Sequence, residues 1–440
     1  MSGTLTAGQL VLTTPTSNND AFDRMRISLP NTLFELNHGN GKLPFLVDEL
    51  IVGSGATSIS HINNSYIEMS LAPGATGKVI RQSFEYIPYQ PGKSKYMIFS
   101  GVLEAISGGT TGVISRIGCY DGAVEKTTIS GTGNGLYFEL NNKVLSSCVR
   151  LNSTLAGGDN DGITSAPQSS WNFDKFDGTG PSKMIVNDYS KAMIFGIDQE
   201  WLGLGRVRFG FFINGAFHVG HSFNHSGIGL PVSEPIIVPY TRTAKMPIRY
   251  EIQSTIVPGI TAEMRMICST ILSEGGLDPN GITYSVGRET AKKIPKTPST
   301  FTPIISLKLK ESEPYNRKTA VLQTMSIYNS SNTGIQWDLY VLPNDSYLTG
   351  AVWTNTNSIS VTQYDVSATA VNLSGAVLVQ SAFSDYYDYI NFESGHYLSQ
   401  PLLNSSISGK SKVFCLVGYV LASNQDINSY GSLKWIELTS

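Results

Sequence analysis

The sequence predicts an all-β chain: a β-sandwich or jelly-roll-like domain carrying an extended N-terminal arm, followed by a second, C-terminal β-sandwich domain. Three observations predict it. Short runs of Val, Ile, Phe, Tyr and Thr alternate with clusters of Gly, Asn, Asp and Ser along most of the 440 residues, the pattern of many short strands joined by tight turns. Helical periodicity is almost absent. No fixed period recurs, which argues against a solenoid built from coils of about 20–30 residues.

The elements follow in order. Residues 1–45 are rich in turn formers and poor in alternating patterns and cannot bury enough surface to fold alone, so they read as an arm lying on a neighbouring subunit, with a disordered tail as the alternative. Residues 46–290 carry dense strand signals and form the first sandwich. Within them "GNGLYFELNNKVLSSCVRL" reads as a hairpin turning at Asn141-Asn142, and "LAGGDNDGITSAPQSSWNFDKFDGTGPSK" as a long loop. Residues 291–303 are rich in Lys, Pro and Thr and read as a linker. Residues 304–440 return to strand patterns and form the second sandwich.

Composition narrows the function. Hydrophobic residues make up 41% of the chain, enough for sizeable cores, while charged residues are only 15%, against about 25% in an ordinary soluble domain. Net charge is −3 and no basic run is present, so nucleic acid is not an expected partner. No stretch approaches about 20 apolar residues, so no membrane insertion is expected. "MSGTLTAGQLVLTTPTSNND" has no charged region followed by an apolar run, so no secretory signal is expected. The cysteines Cys119, Cys148, Cys268 and Cys415 are scattered and read as free buried thiols.

The segment "RVRFGFFINGAFHVGHSFNH" (206–225) holds three of the six histidines around Asn214-Gly215. Asn-Gly favours a type I′ hairpin, because both central residues need positive φ. The implied register pairs Ile213 with Ala216, Phe211 with His218 and Arg208 with His221. One face then carries Val207, Phe209, Phe211, Ile213 and His218; the other carries Arg208, Phe212, Phe217, Val219, His221 and Phe223. Neither face is polar, so both should be covered, one by the core and one by a second layer or another subunit. His218 and His221 fall on opposite faces of a regular strand, and Arg208 opposes His221, so no metal site and no cofactor are expected.

Other chemical signals are weak. Asp198, Glu200 and Glu251 are acids flanked by Arg206, Arg208 and Arg249, which favours ion pairs over the paired carboxylates of a glycosidase. No enzymatic activity is expected. "GDNDG" lacks the pattern of an EF-hand and leaves only an irregular calcium site near Asp159–Asp161 open. "SDYYDYINF" (384–392) offers Tyr386, Tyr387 and Tyr389 as an aromatic platform for sugar rings, with a buried core or interface as the alternative.

Three segments together carry a resemblance: "DAFDRMRISLPNTLF" (20–34), "FDGTGPSK…FGIDQEWLGLGRVRFGF" (176–212) and "MPIRYEIQ" (246–253). They resemble a family of virion structural proteins of tailed phages, especially marine ones, and of other large DNA viruses. Trp201, Leu202, Gly203, Gly205, Val207, Arg208 and Gly210 match that family's middle motif. Pro247, Arg249, Tyr250 and Glu251 match its last. The resemblance covers roughly residues 20–255. It implies a place in the virion and little chemistry.

The expectation is therefore a structural component of a virus particle, homo-oligomeric with a trimer favoured, whose partners are other virion proteins. Its candidate assembly surface is Phe22, Arg24, Arg26 and Phe34 of the arm with Trp201, Arg208, Phe212, Phe217, His221 and Phe223. The alternatives are a host-glycan-binding attachment protein using Tyr386, Tyr387 and Tyr389, and, last, a glycan-cleaving tailspike.

Overall fold

A computed structural model describes residues 3–6, 9–12, 19–106, 111–122, 133–155, 158–226, 239–276, 281–296, 301–312, 317–330, 334–392, 401–421 and 425–438; residues 3–12 and 152–163 are described as backbone alone. The fold is all-β, and every strand pairing among the described residues is antiparallel. The chain divides into two compact units. Residues up to Asp278, except Phe84–Tyr86, form the first; Phe84–Tyr86 and the residues from Pro279 onward form the second.

The first unit is a sandwich of two sheets. One has seven strands in the order Gly158–Pro167, Val144–Leu155, Gly135–Asn141, Val113–Tyr120, Ile248–Ser254, Lys78–Ser83 and Val47–Val52. The other runs Ala216–Asn224, Arg206–Ile213, Met193–Gln199, Lys95–Val102, Ala262–Glu274, Tyr66–Leu71 and Ala56–His61, with Pro30–Asn37 beside the C-terminal half of Ala262–Glu274. Alternate residues of each strand point inward and meet in one core. Phe138 of the first sheet packs against Phe195, Phe209 and Phe211 of the second at ring separations of 5.1, 5.2 and 5.8 Å.

The second unit is also a sandwich. Its first sheet runs Gly281–Gly287, Ile427–Leu438, Ala320–Asn329 and Tyr387–Asn391, with Lys292–Ile294 and Leu402–Leu403 attached. Its other sheet runs Thr354–Asn355, Thr362–Asp365, Thr302–Leu309, Val413–Val420, Ile335–Leu342 and Val377–Ser384. Leu322, Leu433 and Trp435 meet Leu307, Leu339 and Leu416 in the core between them. Trp337 Nε1 donates to Asp388 Oδ2 at 3.1 Å, bridging the sheets.

Several expected boundaries move. The arm does not extend to residue 45: Pro30–Asn37 is a strand of the first unit, and Leu33, Phe34 and Leu36 are buried in its core. The span 291–303 is not a linker, because Lys292–Ile294 pairs with Ile427–Leu438 and Ile294 is fully buried. Gly281–Gly287, assigned by its sequence to the first sandwich, pairs with the same strand of the second. Polar composition misled at both places, since one apolar residue in two is enough for a strand with one covered face. The loop expected across 155–183 contains the strand Gly158–Pro167. The turn expected at Asn141-Asn142 lies one residue on, at Asn142-Lys143, both at positive φ.

Candidate functional site

Asn214 and Gly215 have φ of +53° and +80°, as the type I′ turn requires, and Phe211 faces His218. Beyond Gly210 the expected register fails. Gly220 is an extra residue, so Phe209 faces His221 and Arg208 faces Ser222. The reason is packing: a Cβ at Gly220 would collide with the Trp171 ring. The bulge moves His221 and Phe223 to the face of Phe209 and Phe211, so His218 and His221 share a face, contrary to the alternation of a regular strand.

The histidines are bound into the fold. Nδ1 of His221 accepts from the Asn172 amide at 3.3 Å, and burial pushes its pKa down to about 4. His225 contacts the Gly205 carbonyl through Nδ1 at 2.8 Å and stacks on Tyr240 at 4.0 Å. Among the described residues, no three His, Cys, Asp or Glu side chains gather as a metal site. Asp159 and Asp161 lie on the strand Gly158–Pro167, and their side chains fall outside the described residues.

At Arg206 and Arg208 the second face of the hairpin is covered by the chain itself. Residues 19–29 cross the end of the eight-stranded sheet as a strap. Arg208 donates to the Asn19 carbonyl at 2.6 Å and pairs with Asp198; Arg206 reaches the Ala21 carbonyl and Asp23, both at 2.8 Å. Arg26 pairs with Asp198 at 2.7 Å and also with Glu274. Burial disfavours the Arg26 charge, but the two carboxylates outweigh burial and hold its pKa above the usual value. Its guanidinium lies 4.5 Å from the centre of the Tyr96 ring, and Tyr96 packs on Phe212 and Phe217 at 5.6 and 5.3 Å.

Four of the ten residues of the expected assembly surface are therefore interior, and five more are half-buried. Phe34, Arg208, Phe217 and His221 are buried. Trp201 donates from Nε1 to Thr241 at 2.9 Å, and Phe223 packs on the core. Phe22 lies under the guanidinium of Arg24, and Arg24 pairs with Asp20. What the strap turns outward is Met25, Ile27 and Leu29, all strongly exposed.

The three acids do not assemble into a carboxylate pair. Asp198 lies on the eight-stranded sheet, bound by Arg26 and Arg208. Glu200 adjoins that strand, and burial raises its pKa. Glu251 lies on the seven-stranded sheet, 2.7 Å from Arg249 and 3.0 Å from Arg116. Burial alone would raise the Glu251 pKa; Arg249, Arg116 and Lys78 reverse this and hold it low.

Tyr386, Tyr387 and Tyr389 are all exposed. The strand Tyr387–Asn391 forms an edge of its sheet, and alternation puts Tyr387 and Tyr389 on the outer side while Ile390 packs inward. Register supplies two partners that sequence reasoning missed. Tyr328 faces Tyr387 on one side and Tyr430 on the other, making a row of tyrosines across three strands. The Tyr328 and Tyr386 hydroxyls are 2.9 Å apart, and the Tyr328 ring meets those of Tyr386 and Tyr430 at 4.9 and 5.8 Å. The next row is Gly287, Ser432, Ser326 and Tyr389; the one after is Ser285, Lys434, Thr324 and Asn391. In these three rows Lys434 is the one formally charged side chain. The only sequence sign of Tyr328 and Tyr430 was their position out of phase with buried Ile327, Gly431 and Leu433.

No family model matches this chain, and no curated protein matches it. Several solved structures bear some likeness to it. One is an endo-β-1,4-glucuronan lyase from the fungus Trichoderma reesei, 11% identical, with TM-score 0.35, covering 56% of this chain and 96% of the lyase. Another is a legume lectin-like domain from Entamoeba histolytica, 9% identical, with TM-score 0.30, covering 51% and 89%. A third is the alginate lyase vAL-1 from Chlorella virus, 10% identical, with TM-score 0.31, covering 55% and 99%. At these identities the likeness concerns fold alone, and no residue role passes from them to this chain.

Proposed function

We propose that this chain is a non-enzymatic structural component of a virus particle and that its second sandwich binds neutral carbohydrate through Tyr328, Tyr386, Tyr387 and Tyr389. The virion assignment rests on the three sequence motifs. The observation that carries the carbohydrate reading is the registered tyrosine row on an almost uncharged sheet face. Solvated sheet faces and edges usually carry charge. This one carries rigid amphipathic rings beside Ser, Thr and Asn, a combination that gives contact area and adaptable hydrogen bonding at low entropic cost. Sugar rings present both apolar C–H faces and hydroxyls, and the three rows hold no large aliphatic side chain that a protein partner would bury.

Assembly belongs to the same reading. A homo-oligomer, with a trimer favoured, would use the outward Met25, Ile27 and Leu29 of the strap, not the buried residues that the sequence singled out.

The test is binding of the full chain to an array of neutral oligosaccharides, followed by calorimetry on any that bind. Tyr387→Ala and Tyr389→Ala should each weaken binding roughly tenfold, about 1.4 kcal/mol. A wild-type chain that binds no glycan, or variants that bind as tightly as wild type, would end the carbohydrate reading.

A further inference from the structure

Lys308 lies on the strand Thr302–Leu309, which is buried along its whole length. Leu307 and Leu309 point into the main core, so Lys308 points to the other side of the sheet. There Leu348, Ala351 and Trp353 form a small apolar cluster with Leu342 and Val413. The Lys308 side chain is only 6% exposed, and its Nζ lies 2.5 Å from Asp345 Oδ2 and 3.4 Å from Glu311 Oε1. The Trp353 ring covers the same nitrogen, with its centre 4.7 Å away. Among the described ion pairs, the other paired lysines are 37% to 75% exposed. Lys308 thus combines a buried amine, a carboxylate in contact and a second acid within reach of the same nitrogen.

We propose that Lys308 and Asp345 become joined by an amide bond, a covalent cross-link within the second sandwich. Glu311 takes a proton from the Lys308 ammonium, freeing the amine lone pair. Nζ attacks Cγ of Asp345, and a nitrogen–carbon bond forms. One carboxylate oxygen departs with two protons that began on the nitrogen, passed through Glu311, and leaves as water. An ammonium and a carboxylate become an amide and a water, so atoms and charge balance and no co-reactant is required.

Three physical features favour the step. The fold holds amine and carboxylate in contact, and fixed proximity of this kind reaches effective molarities of about 10⁵–10⁸ M. The ion pair carries a desolvation penalty that the neutral amide does not. The Trp353 ring shields the nitrogen from water, which opposes the reverse hydrolysis. The bond would tie residues 37 apart in sequence, fixing the turn Asp345–Tyr347 to the sheet. Cys119, Cys148, Cys268 and Cys415 are all free, so no disulfide among them serves this purpose.

The experiment is intact-mass measurement of the purified, folded full chain, with tandem spectra of its peptides. The wild-type mass should be lower than the sequence mass by one water, with a branched peptide joined at Lys308 and Asp345. Lys308→Arg keeps the positive charge but supplies no amine, and should return the full sequence mass. Glu311→Gln keeps both reacting groups and should leave most of the chain unlinked. A folded wild type at full sequence mass overturns the proposal, as does a water loss that persists in Lys308→Arg. Complete linkage in Glu311→Gln removes Glu311 from the reaction as written.

Discussion

In the first unit Phe212 and Phe217 stand on the outer face of a sheet, and residues 19–29 of the same chain lie across that end of it. In the second unit Tyr328, Tyr387 and Tyr389 stand on the outer face of a sheet and remain exposed. Both faces are aromatic. They differ in what surrounds the rings. The first has Arg206, Arg208 and Asp198 beside the aromatics, matched by Asp23, Arg26 and backbone carbonyls on the strap. The second has hydroxyls, an amide and Lys434. Buried charges hold a strap in one place because each must keep its partner; a face of hydroxyls makes no such demand, and its tyrosines stay exposed.

The largest expected effect breaks the first face. Asp198→Ala removes the carboxylate shared by Arg26 and the buried Arg208. The orphaned guanidinium should cost about 3–5 kcal/mol, read as a lower urea midpoint of the full chain. A loss below about 1 kcal/mol would show that the strap is a surface ornament.

Acid should act on the first unit next. The pKa values of His38 and His221 are both lowered from 6.5 to about 4, chiefly by burial. In the unfolded chain both imidazoles bind protons below about pH 6.5, whereas the folded chain binds them only near pH 4. Stability is therefore fully present above pH 6.5 and falls as the pH drops toward 4, by at most about 3 kcal/mol for each histidine. Denaturation at a series of pH values, compared with His221→Gln, checks this: the variant should show a shallower slope. An unchanged slope would mean that His221 is protonated in the folded chain.

The smallest effect sharpens the contrast. Tyr387→Ala should change stability by no more than about 0.5 kcal/mol, because its ring stands on an exposed edge strand. A large loss would mean that the tyrosine row holds the sandwich together, which would recast it as structure.

Much of the fold was legible in residue alternation. The Asn214-Gly215 turn, the grouping of Phe209 with Phe211 on one face and several strands of the second sandwich follow from local rules that the sequence carries; which face turns inward does not. Boundaries were less legible, because Ile294 or Phe34 in a polar stretch says nothing about which distant strand will bury it. Three of the five tyrosines of that face, Tyr386, Tyr387 and Tyr389, were visible because they are neighbours in the chain. Tyr328 and Tyr430 joined them only through register between strands far apart in sequence.

The sequence by itself determined the class of fold, the turn of the hairpin and the aromatic character of both faces, because these depend on side chains two to four residues apart. Tertiary structure alone decided three further matters. Gly220 became a bulge because the Trp171 ring lies against it, and this one residue reversed the faces of His221 and Phe223. The expected arm became a strap and a core strand of its own chain because Asp198 and Glu274, remote in sequence, converge on Arg26. Lys308 came to meet Asp345, 37 residues on, because a loop folds over its sheet. Each is a meeting of groups separated by tens to hundreds of residues, and alternation along a single strand carries no record of which partner the closed fold will bring.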